Sequence, residues 1–191
     1  MARKFTKIPA KAFESMQINA GVVLNKFDPE GKTAIQDADI ICATSGGITA
    51  ECKPNITDLG DDVDNCPKNT AELMEIEDWD CTLAFTALNT TAEVIRMSLG
   101  AADISDKTIT PRMTLNTTAD TGDFKTIWWV GDLIGGGFVA VKLMNALSTG
   151  GLSLKTTEKG KGNLSVTLTG CQRMGDDTVP MEFYYSAAEA A

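Results

Sequence analysis

The nine residues WDCTLAFTA, 79–87, constrain the fold more than any other part of this chain. Trp79, Cys81, Leu83, Phe85 and Ala87 occupy one parity and Asp80, Thr82, Ala84 and Thr86 the other. Side chains of an extended strand alternate between two faces, so this order describes a strand with one apolar face turned to a core. The same period of two recurs along the chain. In SMQINAGVVL (15–24) it places Met16, Ile18, Ala20, Val22 and Leu24 on one face. In residues 48–58 it sets Ile48, Ala50, Cys52, Pro54 and Ile56 against Thr49, Glu51, Lys53, Asn55 and Thr57, with Pro54 predicting an edge or a bulge. FKTIWWV (124–130), FVAVKLM (138–144), NLSVTLTG (163–170) and MEFYY (181–185) complete a set of seven or more predicted strands.

One segment changes period. In NTTAEVIRMSLG, Thr90 and Glu93 have capping-box spacing, with Asn89 as a rival cap. Val94, Ile95, Met97 and Leu99 follow helical spacing, and Gly100 stands where a left-handed C-cap belongs. So short a helix needs an external surface, and the apolar face of a sheet is the natural one. The expected fold is therefore mainly β: a β-sandwich or barrel of about seven or more strands with one short flanking α-helix. Residues 1–14, basic with Phe5, Ile8 and Phe13, are expected to form an extended N-terminal arm. Residues 15–186 form a single β domain and 187–191 a C-terminal tail.

Residues 124–144 break the one-wet-face rule. Ile127, Trp128, Trp129 and Leu133, then Phe138, Val139, Val141, Leu143 and Met144, are apolar on both parities. Such strands are covered on both sides, here by the helix or by another copy in an oligomer, and the oligomer is the favoured expectation.

Composition narrows the function classes. A net charge of -9 and a pI near 4.5 disfavour a protein that grips the phosphate backbone. The chain has no histidine, which removes the commonest general base and metal ligand and any Ser-His-Asp arrangement. Five cysteines at 42, 52, 66, 81 and 171 include no C-x-x-C pair, and their odd number argues for reduced thiols in an intracellular protein. No leader peptide and no apolar run long enough for a membrane span is expected.

The stretch TDLGDDVDNCPKN (57–69) is the most chemical in appearance. Asp58, Asp61, Asp62 and Asp64 offer oxygen ligands, but Cys66 and Lys68 occupy the next places of the calcium-loop pattern, leaving an acidic, bent connector between strands ending near Leu59 and starting near Trp79. A pair of carboxylates for glycoside cleavage lacks surrounding aromatic residues. GGG at 135–137 is followed by a strand and lacks the phosphate-loop lysine, so it is a β-turn. Residues 149–170 suggest a long, lysine-rich hairpin that contacts a partner. Lys142, among apolar residues, is expected to snorkel or to pair with an acid across an interface. No catalytic, cofactor-binding or metal-binding residue is predicted.

GVVLNKFDP, the long segment ITAECKPNITDLGDDVDNCPKNTAELMEIEDWDCTLAFTALNTTAEVIRMSLGAAD, and WWVGDLIGGGFVAVKLMNALSTGGLSLKTTEKGKGNLSVTLTG resemble, in layout and phrase, the major tail proteins of long-tailed bacteriophages, over roughly residues 16–186. That resemblance implies a β-sandwich or barrel with one flanking helix, matching residues 90–99, in a tail tube subunit that forms stacked hexameric rings. It further implies that 48–70 belongs to the region contacting the next ring and that 124–144 forms the inner sheet or subunit interface. The lumen would conduct DNA past an acidic wall. Tape measure, tail terminator and baseplate or tail tip proteins would be partners, and the protein would assemble in the host cytoplasm into the virion tail. The family has no active-site motif. The rival from another class is a monomeric β-sandwich ligand- or carbohydrate-binding module, which would need an exposed aromatic platform built from Trp79, Trp128 or Trp129.

Overall fold

The computed structural model describes residues 8–9, 12–118 and 121–187. Most of the expected arm and nearly all of the expected tail lie outside the described residues. Eleven strands and one α-helix occur among those described: β1 (Val22–Leu24), β2 (Ile40–Cys42), β3 (Thr44–Asp58), β4 (Met74–Ala87), α1 (Ala92–Leu99), β5 (Ala102–Ser105), β6 (Thr108–Pro111), β7 (Lys125–Asp132), β8 (Gly137–Ser148), β9 (Ser153–Lys155), β10 (Asn163–Gly170) and β11 (Met181–Ala187). The mainly β fold with a single flanking helix is as the alternations predict.

The large antiparallel sheet runs β2-β1-β7-β8-β10-β4-β3, with β11 on β8 and β9 on β10, while β5 and β6 form a separate hairpin. Only Ala43 separates β2 from β3. One stretch of chain thus borders β1 at its start and β4 thereafter, which brings the two ends of the sheet together into a barrel. Closure satisfies backbone groups that an open sheet would leave at its edges. β8 bends to serve three neighbours. Lys125 faces Ala146 and Ile127 faces Leu143, so two residues of β8 oppose one of β7, and the extra residue Asn145 has φ +47. Before this bulge β8 pairs with β11, and after it with β10.

Inside the barrel, Cys81, Leu83, Phe85 and Ala87 of β4 meet Ile127 and Trp129 of β7, Val141 and Leu143 of β8, and Leu164, Val166 and Leu168 of β10. The face predicted for β4 is the buried one. Helix α1 adds Val94 and Met97 to this cluster. Its cap is Thr91, not Thr90: the Thr91 hydroxyl accepts from the Val94 N–H at 3.3 Å, one residue later than the predicted box. Asn89 is used elsewhere, its Oδ1 accepting from the Ala43 N–H at 2.8 Å, which ties the helix entry to the β2–β3 junction. Gly100 ends the helix with φ +78, and a Cβ there would lie 2.9 Å from the Ser148 carbonyl.

The two-faced apolar strands are explained within one chain. Trp128 and Val130, on the outer face of β7, pack with Leu24 and Ala140 under Phe27, Phe138 and Tyr184. Phe27 meets Trp128 and Phe138 edge-on, with ring centroids 5.5 and 5.2 Å apart. The outer cover is therefore Phe27 after β1 together with Phe138 of β8 and Tyr184 of β11, whereas α1 packs on the other cluster. Residues 15–24 also differ from expectation. Only Val22–Leu24 is a strand, because Gly21 takes φ +67 and breaks the alternation. Val23 then enters the barrel and Leu24 the outer cluster, while Met16, Ile18 and Val22 are exposed.

Candidate functional site

β3 and β4 form a hairpin longer than the barrel it belongs to. β10 pairs with β4 only from Thr82 to Ala87, whereas β3 pairs with β4 along its whole length, down to Asp58 opposite Met74. Beyond Cys81 the hairpin is a two-stranded ladder. β3 keeps the parity set in the core, and a bulge at Glu77 shifts β4 so that Ile76 falls on the same face. Cys52 faces Cys81 next to the interior, Pro54 faces half-buried Trp79, and Ile56 faces Ile76 outside it. Ile56 and Ile76 are each 50% exposed, with Met74 and the tip residues Leu59 and Val63 also exposed. A core-facing apolar stripe therefore runs out past the core with nothing over it, the kind of surface that marks an interaction site.

The opposite face is acidic. Asp80 and Asp78 lie opposite Lys53 and Asn55, Glu75 lies opposite Thr57, and Glu77 occupies the bulge between Ile76 and Asp78. Asn55 donates to both Asp78 and Asp80, and Thr57 donates to Glu77 at 2.5 Å. Residues 53–80 contain nine carboxylates against Lys53 and Lys68, a net of -7 out of -9 for the whole chain. The acidity seen in the composition is thus concentrated on one projecting element.

The aspartate run folds the tip of this hairpin. β4 begins at Met74, five residues before the expected start, so the connector is 59–73. Asp58 accepts from the Gly60 N–H at 2.9 Å and the Asn69 N–H at 3.0 Å, and the Asn69 and Gly60 amides hold its carboxyl below the usual aspartate value. Lys68 pairs with Asp61 at 3.1 Å. Asn65 and Asn69 take positive φ (60° and 59°) in consecutive turns. Among the described residues no group of three or more His, Cys, Asp or Glu side chains is placed to hold a metal ion.

Other sequence-singled residues have local roles. Lys142 pairs with Glu182 of β11 at 2.9 Å within the same chain and lies 5.6 Å from the Trp128 ring, so its predicted acid partner needs no second subunit. Tyr184 donates to Glu182 at 2.5 Å, and with Lys142 it lowers the Glu182 carboxyl while its own phenol is raised. Trp128 and Trp129 are buried, the latter donating from Nε1 to the Ala20 carbonyl at 2.8 Å. With Trp79 packed against the core, the three tryptophans form no exposed platform. The exposed aromatic pair is instead Phe183 and Tyr185, alternate residues of β11.

Sequence reasoning missed the Arg112–Asp123 pair, since neither residue lies in a motif. Arg112 donates from Nη2 to Asp123 at 2.5 Å, and Asp123 also accepts from the Asn116 N–H at 2.7 Å. Arg112 Nε lies 3.0 Å from Asp103 but without hydrogen-bond alignment, so that contact is Coulombic. Together they tie Asp123 and Asn116 to Arg112 at the end of the β5–β6 hairpin. Between α1 and the end of the barrel lies a cleft of about 800 Å³ with Ile41, Met97 and Leu168 in its lining and Arg96, Asn145 and Arg173 among its polar groups. Arg96 pairs with Glu93 at 3.1 Å, and Arg173 donates from Nε to the Asn145 side-chain oxygen at 3.0 Å. No helix of the described residues is long and apolar enough to cross a membrane. The sequence matches no protein-family model and no curated protein.

Proposed function

We propose that this chain is the structural subunit of a bacteriophage tail tube. Copies close into rings, six-fold by the resemblance of the sequence, and the rings stack into a tube whose lumen conducts DNA. The observation that carries this reading is the β3–β4 extension, whose core-facing stripe continues uncovered through Ile56, Ile76 and Met74 while its other face is acidic. An element of that kind serves contact with a neighbour better than stability of the monomer, because a two-stranded ladder in water is marginal. Two further features support it. Among the described residues β3 pairs only with β4, and β11 only with β8, so each keeps a row of backbone groups through which a sheet can continue into the next subunit. The lysines at 155, 159 and 161 provide an exposed basic segment complementary to the acidic hairpin.

On this reading the protein is non-enzymatic and uses no cofactor. Its partners are other copies, a tape measure protein, a tail terminator and the baseplate or tail tip, and its place is the virion tail after assembly in the host cytoplasm. Electron microscopy of concentrated protein tests it: rings or tubes with a central hole are expected, and uniform monomers at every concentration would refute it. The alternative, a monomeric carbohydrate-binding module, would have to use Phe183 and Tyr185, and glycan binding by a monomer that loses affinity on Phe183→Ala would establish it.

A further inference from the structure

We propose that Cys52 and Cys81 are an oxidation site: a small-molecule disulfide converts them to an intrachain disulfide that staples the root of the β3–β4 extension. The inference is independent of the tail-tube reading. The two residues are direct cross-strand partners, and their sulfurs lie 3.1 Å apart. Opposed residues of an antiparallel pair have Cα atoms about 4.5–5.5 Å apart, within the span that a disulfide bridges, so the backbone is already in place. The other three cysteines have no sulfur neighbour among the described residues. Cys66 and Cys171 make only weak contacts with oxygen, and Cys42 is buried.

The position gives the bond a mechanical consequence. Cys81 is the first residue of β4, counting outward from the barrel, that has no partner on β10. A bond here covalently closes the ladder where it loses its third strand, and it encloses a segment of about 30 residues that carries the whole acidic tip.

Exposure sets the order of events. Cys81 is fully buried, whereas Cys52 is only half-buried, which makes it the first of the two to meet a reagent. The Cys52 thiolate attacks one sulfur of oxidised glutathione, forming a mixed disulfide and releasing one glutathione thiolate. The Cys81 thiolate then attacks the Cys52 sulfur and expels the second glutathione. The two protons lost by the protein thiols end on the two released glutathiones, and the two electrons lost by the protein reduce the oxidant disulfide. Burial pushes the Cys81 thiol up to about 12, with the Cys52 contact adding to the shift, so the second attack is slow near neutral pH and accelerates as pH rises.

The test is native incubation of the full chain with oxidised glutathione, followed by intact-mass measurement and digestion before aspartates, which separates Cys52 from Cys66. The expected product has lost about 2 Da, retains no glutathione and carries a Cys52–Cys81 linkage. It also melts roughly 5–10 °C above the reduced chain. Cys81→Ser is expected to stop at a stable glutathione adduct on Cys52, and Cys52→Ser to give neither linkage nor thermal shift. A wild-type chain that keeps the adduct on Cys52, links Cys66 or Cys171 instead, or stays fully reduced while its unfolded form oxidises would overturn the proposal.

Discussion

Replacing Ile56 and Ile76 together by threonine separates the role of the hairpin in association from its role in folding. Threonine keeps the β-branched side chain that suits the ladder and removes most of the apolar surface. Both isoleucines are 50% exposed in the single chain, so about half of each side chain remains to be covered by a neighbour. Complete burial of an isoleucine stabilises by about 1.5–3 kcal/mol, which leaves roughly 1 kcal/mol per residue and about 2 kcal/mol per contact for the pair. That corresponds to about a 30-fold weaker contact. The assay is sedimentation velocity across a concentration series, reading the concentration at which assemblies first appear. It should rise about 30-fold, while the double variant keeps the parent far-ultraviolet spectrum because the barrel core is untouched. A threshold within about threefold of the parent would refute the idea that this stripe is covered on assembly. So would a parent that never assembles.

Four other perturbations have definite outcomes. Arg112→Ala strands the Asp123 carboxylate, whose side chain is 2% exposed, and should cost about 3–5 kcal/mol in urea unfolding, whereas Asp123→Asn leaves Arg112 with Asp103 and should cost clearly less; equal costs would argue against the buried charge as the cause. Phe27→Ala uncovers Trp128 and should lose about 2 kcal/mol with a red-shifted tryptophan emission, an effect absent if another chain supplied the cover. Asp58 has a folded value below its ordinary one, so its contribution is complete above the ordinary aspartate value and lost as pH falls through the lower folded value; exchange protection of the Gly60 and Asn69 amides should fade on acidification and be missing at every pH in Asp58→Ala. If acidic hairpins meet the 155–161 lysines of a neighbour, added salt should raise the assembly threshold, and a threshold lowered by salt would mean that hairpins meet one another.

The strands from 79, 124, 138, 163 and 181 were legible because each keeps its parity through the core. Where the chain breaks parity, reading failed for identifiable reasons. Gly21 turns the backbone to positive φ, so the strand begins only at Val22, and Met16 and Ile18 stay exposed instead of joining Leu24, which an alternation over 15–24 does not express. The bulge at Glu77 shifts the phase of β4, so Met74 and Ile76 do not continue the pattern that starts at Trp79, and the strand looked five residues shorter than it is. The helix was visible but its cap was misplaced by one residue, since Thr90 and Thr91 are both competent and Asn89 is taken by the Ala43 amide. The cover over Trp128 comes from Phe27, roughly 100 residues earlier in the chain, and contacts at that separation leave no periodic trace.

The charge distribution bears on whether a strongly acidic chain suits the self-association proposed above. Outside residues 53–80 the chain has 15 basic and 17 acidic side chains, close to balance. Four of those 15 cations, at 3, 4, 7 and 11, precede the barrel, so residues 15–52 and 81–186 carry 11 basic against 15 acidic side chains, a smaller excess than the -7 of the hairpin. The excess sits on this ladder and its tip, with water on the ladder's acidic face, where neighbouring carboxylates are screened by solvent and Asn55 and Thr57 on the facing strand donate to Asp78, Asp80 and Glu77. The two faces of that ladder then make opposed demands: Ile56 and Ile76 are better removed from water, and Glu75, Asp78 and Asp80 are better left in it or set against cations. A single chain satisfies only the second demand. Covering one face with a neighbour while the other stays wet satisfies both, and it fixes which way the hairpin must turn. In a tube, the acidic face would then look toward the lumen or toward a basic surface, and the apolar face toward protein.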